Sequence, residues 1–314
     1  MSSLTKVMIS PHIHSGKSTC GIMRDVIISL LPAAVAGTLI FGLRALLVIA
    51  VCVISSLLFE AIFNIIVKKE QTIGDLSAAV TGLLLALNLS VNVPLWQCVI
   101  GSLFAIVIVK CLFGGIGQNL VNPAITARVF MLLTFGAVGA VALPTVVEIT
   151  SGATPLAALI QGAEIAAKEA PSIIDLFLGL HGGAIGETCA LALIIGFIYL
   201  VVRKVIKWYV PASYVATVFV CYFLFGGFNA TFALQHVLAG GLLLGAIFMA
   251  TDYVTTPNTN AGRVVFCIGA GLLTFAIRQF GMYPEGVSIA ILTMNLLTPF
   301  ISDLTKRKTL GGVK

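Results

Sequence analysis

The chain has 314 residues, of which 59% are hydrophobic and 10% are charged, with a mean hydropathy of +1.10 and a formal net charge of +6. Soluble domains contain about 45–50% apolar residues, so this composition excludes an ordinary soluble protein and predicts an integral membrane protein. The basic residues lie in short clusters between apolar runs, so the positive charge indicates membrane topology and not binding to nucleic acid.

About ten apolar runs can cross a bilayer, although several are shorter than the usual ~20 residues. In chain order they are residues 25–43, 45–66, 73–90, 95–113, 122–143, 188–202, 209–225, 234–250, 264–280 and 286–301. The predicted fold class is therefore an all-α integral membrane protein with about ten transmembrane helices. The segment before the first run has no apolar core of the kind found in signal peptides, so no removable signal is predicted.

Most lysines and arginines fall at one end of these predicted helices. That end carries Lys6, Lys17, Arg24, Lys68, Lys69, Arg203, Lys204, Lys207, Arg263, Lys306, Arg307, Lys308 and Lys314, whereas the other keeps Arg44, Lys168 and Arg278. By the positive-inside rule both termini are cytoplasmic, and Lys110 lies near the cytoplasmic end of its run. The predicted regions are a tail at 1–24, a five-helix repeat at 25–143, an external loop at 144–186, a second five-helix repeat at 187–301 and a tail at 302–314.

An odd number of helices in each half means that the second half enters the membrane from the opposite side, which predicts an inverted repeat. Two pairs of segments in the same order support it. They are "GLLLALNLSVNVP" from Gly82 with "GAIFMATDYVTTP" from Gly245, and "GQNLVNPAIT" from Gly117 with "GMYPEGVSIA" from Gly281. Polar residues and prolines near the ends of the short spans indicate either broken or half-length helices at the repeat interface, or ordinary loops that join short helices.

Charged residues within or beside the apolar runs are candidates for function. Asp75 opens the third span and is expected to complement a helix dipole. Glu60 and Arg128 could pair with each other, contact a neighbouring subunit or border an ion pathway. The seven cysteines show no C-x-x-C spacing, and the two histidines of the N-terminal tail are too few for a metal site, so no metal ligands are predicted.

A polar segment, "VEITSGATPLAAL", interrupts the apolar sequence at residues 147–159. Thr154 followed by Pro155 is typical of a helix N-cap with proline at the first helical position. However, "TSGATPL" also resembles the flavin-attachment motif in the membrane subunits of Rnf and Na⁺-pumping NADH:quinone oxidoreductase complexes. Glu148 and Ile149 replace the Asp and Gly of that motif.

Three further segments are similar to the NqrB/RnfD family of membrane subunits. They are "SPHIHSGKST", "GGIGQNLVNPA" and "YPEGVSIAILTMNLLTPFISD". The resemblance implies that a flavin transferase binds the segment Ser151, Gly152, Ala153 and Thr154. The transferase then joins FMN covalently to the hydroxyl of Thr154. The following helix N-terminus would favour the charge of the phosphodiester.

Asn119 and Asn122 lie three apart at the start of the fifth span, so they are expected to share one side of a helix. One interpretation is that they cap this helix ahead of Pro123. The resemblance implies another, in which they hydrogen-bond a non-covalent riboflavin.

The resemblance implies an electron-carrying subunit of an ion-translocating ferredoxin:NAD⁺ oxidoreductase in the bacterial cytoplasmic membrane, coupled to transport of Na⁺ or H⁺. Its implied partners are the A, B, C, E and G subunits of an Rnf complex. The chain has no dinucleotide-binding fingerprint and no cluster ligands, so it is expected to be catalytically incomplete alone. The alternative is a cofactor-free solute channel or transporter with a urea-channel-like inverted repeat.

Overall fold

A computed structural model describes residues 18–136, 172–281 and 286–306. Most of these residues are helical, and the long helices lie close to the predicted spans, although residues 73–90 and 122–143 were expected where Ser77–Leu87 and Pro123–Phe135 are helical. The helices are α1 (Thr19–Phe41), α2 (Leu43–Val67), α3 (Ser77–Leu87), α4 (Leu95–Cys111), α5 (Pro123–Phe135), α6 (Ile173–Leu178), α7 (Ala190–Val202), α8 (Tyr209–Phe225), α9 (Ala230–Leu238), α10 (Leu242–Met249), α11 (Asn260–Phe280) and α12 (Val287–Leu304).

Four of the described helices, α1, α2, α11 and α12, are long and apolar enough to cross a bilayer, and the pair α9 and α10 adds a fifth if it counts as one bent span. The remaining spans coincide with apolar helices of 10–17 residues. Many of the large apolar side chains on the long helices are exposed, as expected of surfaces that face lipid. The all-α membrane fold that composition predicts is therefore confirmed.

The first half contains a half-length helix. Helix α3 has 11 residues, a length of about 16 Å, which is about half the thickness of a bilayer core. A 3₁₀ turn at Ile73–Asp75 precedes it, and Asn88 ends it. All its residues except Ala79 are buried, so α3 lies inside the protein and not against lipid.

The corresponding segment of the second half is a broken helix. Helices α9 and α10 meet at a bend of 68°, and Gly240, in the left-handed region with φ of 71°, lies at the break. Broken and half-length helices were one of two interpretations of the short spans, and these elements favour it over ordinary loops.

The two matched segments meet in the interior, where Asn88 Nδ2 lies 3.7 Å from Met249 Sδ. Helices α1 and α7, which begin the two halves, pack so closely that a Cβ on Gly196 would clash with the Ser29 carbonyl oxygen. The inverted relation between the halves stays a prediction, but both contacts lie where such a symmetry would place them.

The end of the predicted external loop is not exposed. Residues 181–188 are buried, and their backbone continues the hydrogen bonding of α3: Ile185 N donates to Leu89 O at 3.0 Å and Gly186 N donates to Leu87 O at 2.8 Å. These bonds satisfy carbonyl groups at the end of the half-length helix, which lipid could not do.

Candidate functional site

A cavity of about 110 Å³ lies between the two halves of the protein. The first half contributes α1, α3 and the segment that precedes α5, and the second half contributes residues 205–206, 247–248 and 251–254. Most of the wall is apolar. Asn119 and Asn122 both line it, and we call it the asparagine cavity.

Asn122 is the N-cap of α5. Its Oδ1 accepts from the backbone N–H groups of Ala124 (3.1 Å) and Ile125 (3.3 Å), and Pro123 occupies the first helical position. The Asn295 amide is oriented so that both its oxygen and its nitrogen are hydrogen-bonded. In this orientation its oxygen accepts from Asn122 N at 3.2 Å, which joins the start of α5 to α12. The capping interpretation of Asn122 is therefore confirmed.

Asn119 does not cap the helix. Helix α5 begins at Pro123, so Asn119 and Asn122 lie in the preceding loop, and the prediction that they share a helix face is wrong. Proline favours the first turn of a helix and disfavours helical backbone before it, which sets this start. Nevertheless, both side chains reach one cavity. The Oδ1 atom of Asn119 is buried there without a hydrogen-bond partner among the described residues.

Asp252 adds an ionisable group to the cavity wall, in the loop between α10 and α11. Burial raises the pKa of its carboxyl group, and hydrogen bonds from Val254 N (3.3 Å) and the Thr255 hydroxyl (3.1 Å) offset this in part. Sequence reasoning missed this residue. The available signal was an acid placed directly after an apolar run and followed by threonines.

A buried ion pair lies beside the asparagine cavity, and one of its members lines the wall. Lys110 Nζ lies 2.7 Å from Glu60 Oε1 and donates to Ser77 Oγ at 2.5 Å, and both charged side chains are almost fully buried. The Thr72 hydroxyl also donates to Glu60 Oε1, at 2.9 Å, and accepts from Asn64 Nδ2 at 3.0 Å. Lys110 and Ser77 line the asparagine cavity, whereas Glu60 lines a second cavity of about 300 Å³. The pair therefore separates two cavities.

The partner of Glu60 is thus Lys110, and the prediction that it could pair with Arg128 is wrong. Asp75 behaves as predicted, because its Oδ1 accepts from Ser77 N at 2.7 Å at the start of α3. The same oxygen accepts from Ser77 Oγ at 2.6 Å, which joins Asp75 to the group around Lys110.

Arg128 is buried where α3 ends and where α9 and α10 are broken. Its Nη1 donates to Asn88 Oδ1 (3.2 Å) and Ser288 Oγ (2.8 Å), so it joins α3, α5 and α12. A Cβ on Gly241, at the break between α9 and α10, would lie 3.2 Å from Glu187 Oε2 and 3.7 Å from Arg128 Nη1. A buried carboxylate and a buried guanidinium therefore converge on this break.

The chain matches the NQR2, RnfD, RnfE family over residues 6–311. It is 46% identical to the D subunit of the Na⁺-translocating ferredoxin:NAD⁺ oxidoreductase complex of Acetobacterium woodii, over 98% of this chain and 96% of that protein. The chain belongs to the NQR2, RnfD, RnfE family.

Two other relatives show similar coverage. Identity is 39% to the D subunit of the proton-translocating ferredoxin:NAD⁺ oxidoreductase complex of Clostridium ljungdahlii, over 96% of this chain and 95% of the relative. Identity is 34% to the D subunit of the ion-translocating oxidoreductase complex of Halorhodospira halophila, over 99% of this chain and 97% of the relative. All three relatives are named as subunits of ion-translocating oxidoreductase complexes.

The predicted flavin-attachment residues of this family member, Ser151, Gly152, Ala153 and Thr154, lie outside the described residues. Thr154 therefore stays a prediction, and the site that the structure does describe is the asparagine cavity with its neighbouring charges.

Proposed function

We propose that the chain is the D subunit of an Rnf complex in the bacterial cytoplasmic membrane, with both termini cytoplasmic. It carries electrons within an ion-translocating ferredoxin:NAD⁺ oxidoreductase that transports Na⁺ or H⁺, assembles with the A, B, C, E and G subunits, and is matured by a flavin transferase. The observation that carries this proposal is family membership along nearly the entire chain. It favours electron transfer over the solute-channel alternative.

The first proposed cofactor is FMN, esterified through its phosphate to Thr154. The motif "TSGATPL" supports this attachment. Bound flavin supplies one- and two-electron chemistry, and the protein supplies position and electrostatic surroundings.

The second proposed cofactor is a non-covalent riboflavin in the asparagine cavity. The chemistry of the wall fits an isoalloxazine ring, whose edge carries an N–H donor between two carbonyl acceptors. The Asn119 amide is the complementary group, because its unpartnered buried oxygen can accept from such an N–H while its nitrogen donates to a carbonyl. The apolar wall excludes water, which strengthens these bonds.

The cavity must widen to admit this ring, since typical cofactor sites measure about 300–1,000 Å³ and this one about 110 Å³. The loop that bears Asn119 is built for movement. Gly114, Gly115 and Gly117 all have positive φ, and no atom lies within 4 Å of the Cβ position of Gly115 or Gly117. Glycine adopts such backbone conformations at little cost and leaves the loop free to change them.

Charged groups of the wall set the electrostatic surroundings of the cavity. Lys110 favours negative charge there, and its pairing with Glu60 moderates that effect. Asp252 is the group best placed to exchange a proton as charge in the cavity changes, because burial raises the pKa of its carboxyl group.

The test of the covalent flavin is intact mass and in-gel fluorescence of the protein co-expressed with a flavin transferase. We expect a denaturation-resistant adduct with the mass of an FMN phosphodiester, lost in Thr154→Ala and retained in the matched control Thr150→Ala. If a transferase that is active on another substrate leaves this chain unmodified, or if Thr154→Ala keeps the adduct, the attachment is refuted.

A further inference from the structure

A basic groove of about 450 Å³ lies at the end of the protein where lysine and arginine are concentrated. It is formed by the connection between α7 and α8, by Tyr253 and by the first turn of α11. The cations Lys204, Lys207 and Arg263 line it, and none of the described residues that line it is Asp or Glu. The groove is therefore a concave surface of one sign of charge, which favours an anion.

Two of these cations are held in place by neutral partners. Lys207 Nζ donates to Asn260 Oδ1 at 2.6 Å, and Arg263 Nε donates to the Pro257 carbonyl oxygen at 3.0 Å. Among the described residues these partners carry no charge to compensate the cations, and an ammonium has three N–H donors and a guanidinium five. By contrast, the nearby Arg203 forms an ion pair with Asp25 at 3.2 Å and does not line the groove.

The surroundings of the groove are amphipathic. Trp208 is 64% exposed and Tyr253 is 42% exposed at its rim, and such aromatic residues are typical of the level of lipid headgroups. Each flanking helix then continues away from the groove with a stripe of exposed apolar residues at helical spacing. The stripes are Ile195, Ile198 and Val202 on α7, and Val265, Ile268 and Leu272 on α11.

We infer that this groove is a specific binding site for an anionic glycerophospholipid. Lys207 and Arg263 bind the phosphate, Trp208 packs at the level of the glycerol backbone, and the acyl chains lie along the stripes of α7 and α11. Basic pockets between transmembrane helices bind anionic headgroups in this way. A soluble phosphate would satisfy the cations but would make no use of the aromatic rim and apolar stripes that adjoin them, so the combination favours a lipid.

The test uses fluorescence of Trp208 in the full chain reconstituted in nanodiscs. The sequence has two tryptophans, so Trp96→Phe leaves Trp208 alone. Phosphatidylglycerol with brominated acyl chains, added at increasing mole fraction to phosphatidylcholine, quenches a tryptophan that it contacts. We expect quenching that saturates at a low mole fraction, whereas brominated phosphatidylcholine quenches only in proportion to its amount.

The double variant Lys207→Gln/Arg263→Gln, on the same background, should raise the half-saturating fraction roughly tenfold or more, because each basic residue at an anionic surface contributes severalfold to binding. The matched control Lys68→Gln/Lys69→Gln removes two charges at the same end of the protein but outside the groove. This control should leave the half-saturating fraction unchanged. Glycerol phosphate, which has the headgroup chemistry without acyl chains, should not reverse the quenching.

Equal quenching by the two brominated lipids would overturn the inference and leave only non-specific boundary lipid. An unchanged half-saturating fraction in the groove variant would overturn it as well. Reversal of quenching by glycerol phosphate would assign the groove to a soluble phosphate, and protection of Trp208 from brominated lipid in the assembled complex would assign it to a partner protein.

Discussion

Breaking the ion pair between Glu60 and Lys110 should strongly destabilise the protein. In Glu60→Gln the ammonium of Lys110 stays buried without its anion. At the 2.7 Å separation of Nζ and Oε1, Coulomb's law at an effective dielectric constant of about 20 gives roughly 6 kcal/mol of attraction. Part of this offsets desolvation, and removing one member of a buried pair typically costs about 3–5 kcal/mol. At about 2 °C per kcal/mol, typical of longer chains, the melting temperature should fall by about 6–10 °C.

The assay is thermal unfolding in detergent, followed by the fluorescence of a thiol-reactive dye, for Glu60→Gln, Lys110→Met and the double variant. Lys110→Met should be similarly destabilised, because it leaves Glu60 unpaired. The double variant should recover much of the loss, since it buries no charge. Lys306 and Asp303 form a matched control pair that is exposed, and their neutralisation should shift the melting temperature by about 1 °C or less. Additive losses in the buried double variant would refute the reasoning.

Three further predictions concern the asparagine cavity and the central arginine. Asn119→Leu removes the amide that faces the cavity, so acid-extractable riboflavin per purified protein should fall at least tenfold; unchanged content would exclude Asn119 as a contact. Asp252→Asn should raise the midpoint potential of the non-covalent flavin by tens of millivolts at pH values above the pKa of the carboxyl group. At pH values below that pKa the potential should change little, because only the ionised carboxylate opposes reduction. Potentiometric titration at several pH values tests this, and a pH-independent shift would contradict it. Arg128→Met should lower thermal stability more than Arg203→Met, since Arg128 is buried and Arg203 half-exposed, and equal losses would contradict the central role of Arg128.

The architecture could be predicted because lipid imposes strong rules on sequence. The apolar runs locate the helices, and the polar ends of short spans, as in "ALNLSVNVP", indicated where helices are halved or broken. The start of α5 was encoded by Asn122 and Pro123, a cap followed by a residue that favours the first turn. The assumption that this helix already included Asn119 was wrong, and the helix ends at Phe135, although the predicted span continued to residue 143.

The polar interior could not be predicted to the same degree, because its partners are distant in sequence. Lys110 pairs with a carboxylate 50 residues away, and Arg128 bonds Ser288 across 160 residues. A charge within an apolar run must find a partner, but the run does not identify it. Lys110 was therefore placed near a membrane surface from sequence, and Asp252 was overlooked, although both border the cavity.

The breaks in the helices and the position of the cavity have a common physical cause. A half-length helix leaves unpaired carbonyl groups at its end, which lipid cannot satisfy, so that end must be buried in protein. Here Ile185 and Gly186 donate to Leu89 and Leu87 at the end of α3, so closing one helix end requires a segment from beyond the first half. Short helices also leave room along the bilayer normal that a full helix would fill. The asparagine cavity lies beside the short helices α3 and α10, between the two halves, and the groups that border it come from both. A flavin in this position would bridge elements that neither half provides alone: the sequence indicated Asn119 and Asn122 of the first half, but not the residues of the second half that face them across the cavity.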